Sequence, residues 1–368
     1  MAKRLQNIMP AGAPWGGPES VSLLSCFASL VCAIEGFDAL NPLYCCQGPG
    51  QCKGCGECGS FVREQKQHEQ VYHLSLTLSG LACLTPWPLQ PQSWDWRINS
   101  LHRPWQILDK IVMDEALERM MHFAGYSFAD VTTNLAEVVH ASIDAGWPAM
   151  AYDTHRSEWF LITGYDGSDA LDYDGNRIEL GGTGLRVVAV TGRRTRRVGF
   201  AEEFQHLAGM LRGDATTTTE MAIGWAAYDA VAACLADEAY FQQANSDELQ
   251  RVYGSLHACI GALAENRCFA AMAMLTGWSG VADLEDMDRS ILAVLGGFFM
   301  ETHNQCWQAW AAMGGNHICE PAKHSEMLRG RDVRMELQRF FQRFRRHDEV
   351  AALLLEEAVN TPFLRPQH

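Results

Sequence analysis

The sequence has no apolar stretch near the roughly 20 residues that a membrane-spanning helix needs. Its longest candidates, residues 23–34 and 291–300, are short and broken by Ser or Gly. Basic residues are also scarce: 29 Lys and Arg stand against 44 Asp and Glu, a formal net charge of −15. That balance disfavours a general binder of nucleic acid or of an anionic membrane, because both repel a negative surface. The opening MAKRLQNIMP carries two basic residues without the apolar run of an export signal behind them. A cytoplasmic setting is expected, in which thiols stay reduced. The rest of the composition is that of a folded protein. Of 368 residues, 48% are hydrophobic and 20% charged, and the length suits two domains.

The 13 cysteines carry more information. Eight are scattered, mostly within apolar helical patterns, where Cys acts as a small hydrophobe. The other five, Cys45, Cys46, Cys52, Cys55 and Cys58, crowd into 14 residues with glycines between and around them. Glycine lets the backbone curl until several sulfurs converge on one point. The two-residue gaps from Cys52 to Cys55 to Cys58 match the first three ligands of a ferredoxin-type run, without its usual fourth Cys-Pro. Four thiolates also satisfy tetrahedral zinc. Five adjacent exposed thiols would be an oxidation liability, which favours a bound metal. Zinc is the expected occupant. An iron–sulfur cluster, a thiol redox pair and free thiols are the alternatives.

Residues 21–35 have helical apolar spacing, with Gly36 as a stop. Residues 71–78 alternate like a strand, and 86–104, rich in Trp and Pro, read as an ordered loop. Two helices are expected over 104–125 and 128–145. The period then changes from 3.6 to 2. Strands are expected at 148–152, 158–165, 170–173, 177–180 and 185–191, with turns at Asp166-Gly167 and Asp174-Gly175. From about residue 200 onward the pattern is helical: 201–211, 220–237, 246–277, 284–313 and 332–359. Helices, then an antiparallel sheet, then a helical bundle make the fold class α+β.

This order carries a resemblance. The segment AGWPAMAYDTHRSEWFLITGYDG resembles the central strands of papain-like cysteine peptidases of the bacteriocin-processing kind. The segment ACIGALAENRCFAAMAML is similar to the helical extension of butirosin-biosynthesis H-like proteins. The resemblance implies a papain-like domain over residues 1–200, with the Cys-rich loop 45–58 inserted, and an all-helical domain over 215–360. It also implies acyl transfer or hydrolysis in a specialised-metabolite or peptide-modifying pathway. The named family member moves an acyl group from a carrier-protein thioester to an amine.

Such a site needs a Cys at the start of the first helix, where the helix dipole and a nearby His⁺ favour the thiolate. It also needs a His on the sheet, oriented by an acid. The helix start falls near residues 20–24, which hold no Cys; Cys26 is the nearest. The place of the family His holds Glu158, with His155 three residues before it and Asp172 downstream. The candidate catalytic set is Cys26, His155 and Asp172, acting on a small-molecule or peptide substrate. The competing readings are a scaffold that has lost this set and binds a ligand without turnover, or a metal or redox protein acting through its Cys loop.

Two further patterns stand out. Glu301, His303 and Cys306 share a helical region with Trp307 and Trp310, as core or as an aromatic-lined pocket. Val333, Leu337, Phe340, Phe341 and Phe344 form one helical stripe beside seven Arg between Arg329 and Arg346. The basic side of that helix reads as a solvated face or as a docking site for an acidic partner such as a carrier protein. Arg343, Arg345 and Arg346 are the residues whose reversal tests it.

Overall fold

The computed structural model describes residues 2–6, 8, 22–36, 67–94, 106–155, 158–193, 200–214, 221–276, 289–316 and 318–360. In chain order the elements are β1 (Lys3–Arg4), α1 (Ser22–Glu35), α2 (Gln67–Leu78), a 3-10 turn (Leu81–Cys83), β2 (Pro86–Pro88), α3 (Gln106–Phe123), β3 (Tyr126–Val131) and α4 (Leu135–Asp144). Then come β4 (Ala149–Asp153), β5 (Glu158–Asp166), β6 (Asp169–Asp172), β7 (Arg177–Glu179) and β8 (Leu185–Arg193). The remainder is α5 (Phe200–Arg212), β9 (Met221–Ile223), α6 (Trp225–Ala236), α7 (Glu238–Gln243), α8 (Ser246–Thr276), α9 (Arg289–Ala312), α10 (Pro321–His324), a second 3-10 turn (Ser325–Arg329) and α11 (Arg331–Asn360). The protein is mixed helix and antiparallel sheet with a helical C-terminal region.

Three expectations need correction. Residues 71–78 are helix, the end of α2, and every one of them is buried. The stretch 128–145 is not one helix. Tyr126–Val131 pairs with β8, and α4 starts only at Leu135, after Asn134 at φ 55°. Met221–Ile223, expected inside a helix, is a strand paired with Pro86–Pro88.

The described residues divide into two compact units, one from Met1–Ser75 and Leu117–Val198, the other from Leu76–Ala116, Gly199–Thr276 and Asp283–His368. The second unit takes in Leu76–Ala116 as well as the described residues from Gly199 onward.

In the first unit the sheet order is β3-β8-β4-β5-β6-β7, antiparallel throughout, with β1 on β5 beyond the reach of β4. β1 can lie there because residue 164 is Gly: a Cβ would stand 2.5 Å from the Lys3 carbonyl oxygen. Alternation sorts the strand residues. Ala149, Ala151, Ile162, Val187 and Ala189 face Leu135, Val139 and Ile143 of α4 in one apolar cluster. Met150, Leu161 and Val188 lie in the opposite register and are equally buried. α1 packs on β5 and β4 and contributes nothing to the α4 cluster, so it covers this second face. A sheet covered on both faces explains why its central strands show little polar alternation.

In the second unit α8 packs on α9, and α11 packs on α5, α6 and α9. Tyr228, Phe241, Tyr253, Trp310, Phe340, Phe341 and Phe344 fill the core, joined by Trp87 of β2. Within it lies a fully buried ion pair. The Arg267 guanidinium donates from Nε to Asp348 Oδ1 at 3.1 Å and from Nη2 to Oδ2 at 2.6 Å, both side chains at 0% exposure. The remaining donors meet the carbonyls of Ala82 and Cys83 and the Thr85 hydroxyl, and Tyr228 donates to Asp348 Oδ2 at 2.6 Å. Burial is the largest single influence on the Arg267 pKa and pulls it down, but Asp348, Tyr228 and Cys83 together outweigh it and leave it raised. The pair thereby fastens residues 82–85 to α8 and α11.

Candidate functional site at the start of the first helix

The resemblance directs attention to where α1 begins. Ser22 is its first residue, and the Ser22 Oγ accepts a hydrogen bond from the backbone N–H of Trp159 at 3.1 Å. Trp159 is the second residue of β5, so the helix start abuts the strand start. The other end of α1 is held as well. The Tyr126 hydroxyl donates to Glu35 Oε1 at 2.6 Å, and Arg193 donates to the Ile34 carbonyl at 2.8 Å and lies 3.3 Å from Glu35. A cation at the last carbonyls suits the negative end of the helix dipole. Burial and the Glu35 carboxylate raise the Tyr126 pKa, so its proton stays in place. α1 is thus pinned from β5 at one end to β3 and β8 at the other.

Around the helix start the sheet carries a polar and aromatic group. Trp159, almost wholly buried, lies 5.4 Å from the Tyr152 ring, and the Arg186 guanidinium sits 5.8 Å over it. Arg186 Nε donates to Asp130 Oδ1 at 2.8 Å, which holds the guanidinium in place. The turn from β4 to β5 carries His155. The Asp153 carboxylate accepts the His155 N–H at 2.8 Å, and Thr154 N–H donates to the Gly184 carbonyl at 2.9 Å. Gly184 has φ +98°, and a Cβ there would meet Thr154 Oγ1 at 2.6 Å and His155 Nε2 at 2.9 Å. Only glycine fits this contact without strain.

The three proposed catalytic residues are not brought together. Cys26 lies one turn inside α1 at 0% exposure, on a helix buried from Leu23 to Cys32. A thiol there packs among core side chains rather than facing solvent. His155 is exposed in the β4–β5 turn. Asp172 pairs with Ile162, four residues along β5 from Glu158, about 13 Å at strand spacing. Its carboxylate is committed to the β6–β7 turn, accepting the Asn176 N–H at 2.8 Å and Nδ2 at 2.9 Å. It cannot orient His155.

Cys45, Cys46, Cys52, Cys55 and Cys58 lie outside the described residues. Among the described residues no group of three His, Cys, Asp or Glu side chains is placed to hold a metal ion. None of the eight described cysteines is exposed. Burial pushes Cys32, Cys83, Cys234, Cys259 and Cys319 up to about 12 and Cys268 up to about 11. These thiols stay protonated at neutral pH. The cluster near His303 is packing: Cys306 and Trp310 are buried, and His303 meets the Ala264 carbonyl at 2.7 Å and Trp307 Nε1 at 3.2 Å. No described helix is long and apolar enough to cross a membrane.

Sequence reasoning passed over Ser22, Arg186 and Asp130. Ser22 lies inside the window of residues 20–24, where the resemblance calls for a Cys. Comparison with protein-family models, with curated proteins and with solved structures finds no match to this chain.

Proposed function

We propose that the first unit is a papain-like scaffold that has exchanged thiol catalysis for binding. The ligand class is the one the resemblance implies, an acyl or peptide-like group. The observation that carries this reading is the contact at the start of α1. The residue in the nucleophile's seat is Ser22, and its oxygen is engaged by the Trp159 amide. The nearest thiol, Cys26, is sealed in the core. A helix start against a strand start supports the papain-like arrangement. The missing Cys, and an Asp172 committed to its own turn, support loss of the reaction.

The test uses an acyl N-acetylcysteamine thioester with a free amine acceptor. Retention of the thioester by the protein, with no thiol release above that of a Cys26→Ala variant, is the expected result. Turnover that disappears in Cys26→Ala would restore the catalytic set and overturn this reading.

A second reading concerns the Cys-rich loop. Every described cysteine is buried or half-buried, so the thiol chemistry left to the chain sits in residues 45–58. Their spacing suits a four-thiolate metal site, zinc first and an iron–sulfur cluster second. Elemental analysis and an absorbance spectrum of anaerobically purified protein test it. One equivalent of zinc, lost when the five cysteines become Ser, supports a structural staple. A brown protein supports the cluster, and metal-free protein contradicts both.

A further inference from the structure

The seven arginines between Arg329 and Arg346 have different fates. Arg329 donates to the carbonyls of Phe241 and Ala244 at 2.8 and 2.9 Å and pairs with Glu326 at 2.7 Å, closing the end of α7. Arg334 is buried, donates to the Leu235 carbonyl at the end of α6 at 3.2 Å, and pairs with Glu238. Arg345 pairs with Asp229 and, at 2.9 Å, with Glu349. These are internal clamps. Arg331 stands at the start of α11. Arg339, Arg343 and Arg346 are exposed, and none has an acidic partner among the described residues. Arg343 lies 5.6 Å over the Phe340 ring, which props its stem outward.

These three share a stripe with two exposed apolar residues. Arg339, Arg346 and Leu353 are spaced by seven, and so are Arg343 and Val350, which puts all five on one face of α11. Leu353 is 59% exposed and Val350 37%. From Arg339 to Leu353 the exposed positions include no acid. The stripe runs about 21 Å at 1.5 Å per residue. It is cationic over its first half and apolar over its second, on a chain of net charge −15.

We propose that this stripe is a docking surface for an acidic amphipathic helix of a partner protein. The partner's carboxylates would face the three guanidinium groups and its apolar residues would cover Val350 and Leu353. Fork-shaped guanidinium groups favour carboxylates, and the heptad spacing favours a helix as the carrier of those groups. A second copy fits poorly. Antiparallel self-pairing sets Arg339 against Leu353, and parallel self-pairing sets Arg against Arg. A nucleic acid or an anionic membrane is repelled by the chain's net charge and finds three cations only. The surface belongs to the second unit and does not depend on the chemistry at Ser22.

The experiment uses the full chain and a fluorescein-labelled, helix-stapled 18-residue peptide. The peptide carries Glu and Leu at heptad positions complementary to the stripe. Its partner probe has the same composition in scrambled order, and fluorescence anisotropy reads both. The expected result is binding that weakens about tenfold or more in R339E/R343E/R346E, and severalfold in L353S and with added salt. The scrambled peptide is expected to bind about tenfold more weakly. R339Q/R343Q/R346Q, which adds no repulsion and leaves the buried face untouched, gives a smaller loss of the same sign and guards against misfolding of the reversed variant. Equal binding by wild type and both triple variants would overturn the proposal. So would equal binding of the scrambled peptide, tighter binding of duplex DNA or phosphatidylserine vesicles through the same arginines, or self-association abolished by the triple reversal.

Discussion

The Ser22 hydroxyl oxygen accepts the backbone N–H of Trp159 at 3.1 Å, joining the first residue of α1 to the second residue of β5. The two residues are 137 apart in the chain. Ser22→Ala leaves a partly buried N–H without its acceptor, at about 1–2 kcal/mol. Urea denaturation should show that loss with an unchanged m-value; a variant as stable as wild type would mean that the contact does not hold the helix.

Gly184 offers a sharper test of the β4–β5 turn. At φ +98° any side chain is strained, and a Cβ would press on Thr154 and His155. Gly184→Ala should cost about 1–3 kcal/mol. Gly146→Ala, at φ +86° but with nothing within 4 Å of its Cβ, should cost less than Gly184→Ala. Thermal unfolding of the two variants side by side reads the difference.

The Arg267–Asp348 pair should respond asymmetrically. Removing either charge alone, as Arg267→Met or Asp348→Leu, leaves the other buried without its counter-ion and should cost about 3–5 kcal/mol. The double variant should be much less unstable than the sum of the two, because no buried charge remains. Additive losses in a double-mutant cycle would contradict the network.

Acid should weaken the fold partly through His347. Burial lowers its pKa from 6.5, against smaller raising effects of Glu301 and Asp348, and Arg343 lowers it further; the Thr302 hydroxyl lies 2.9 Å from its Nδ1. The unfolded chain therefore takes up the proton first. The stabilising effect of the neutral ring is present above pH 6.5 and is lost as the pH falls from there toward the folded value. His347→Asn should flatten the stability profile below pH 6.5; an unchanged slope would assign the loss to other groups.

Much of the first unit was legible. Residues 158–165 read as a strand, Asp166-Gly167 and Asp174-Gly175 punctuate the turns, and all three form as read. Where the reading failed, the deciding contact was distant or the period was erased. Residues 71–78 are buried on every side, so no helical stripe shows. Residues 128–131 carry helix-like apolar spacing, yet they complete the sheet edge beside β8, some 60 residues later in the chain. Met221–Ile223 becomes a strand only because Pro86–Pro88 lies against it. At the candidate site the starts of α1 and β5 could be read, whereas the burial of Cys26 could not. That burial depends on packing around α1 that local sequence does not encode. Arg267 and Asp348, 81 residues apart, left only the faint signal of a charge inside apolar helices.

The most direct test is a thiol-labelling rate. In a background with the five cysteines of residues 45–58 changed to Ser, S22C places a thiol at the start of α1. Alkylation by iodoacetamide at pH 7.5, followed peptide by peptide with mass spectrometry, compares that thiol with Cys26. A thiol at the helix start, partly exposed and favoured as thiolate by the dipole, should react about tenfold faster or more, and Cys26 only as the protein unfolds. Rapid labelling of Cys26 in the folded protein, or an S22C thiol as slow as Cys26, would contradict the placement of the nucleophile's seat at Ser22.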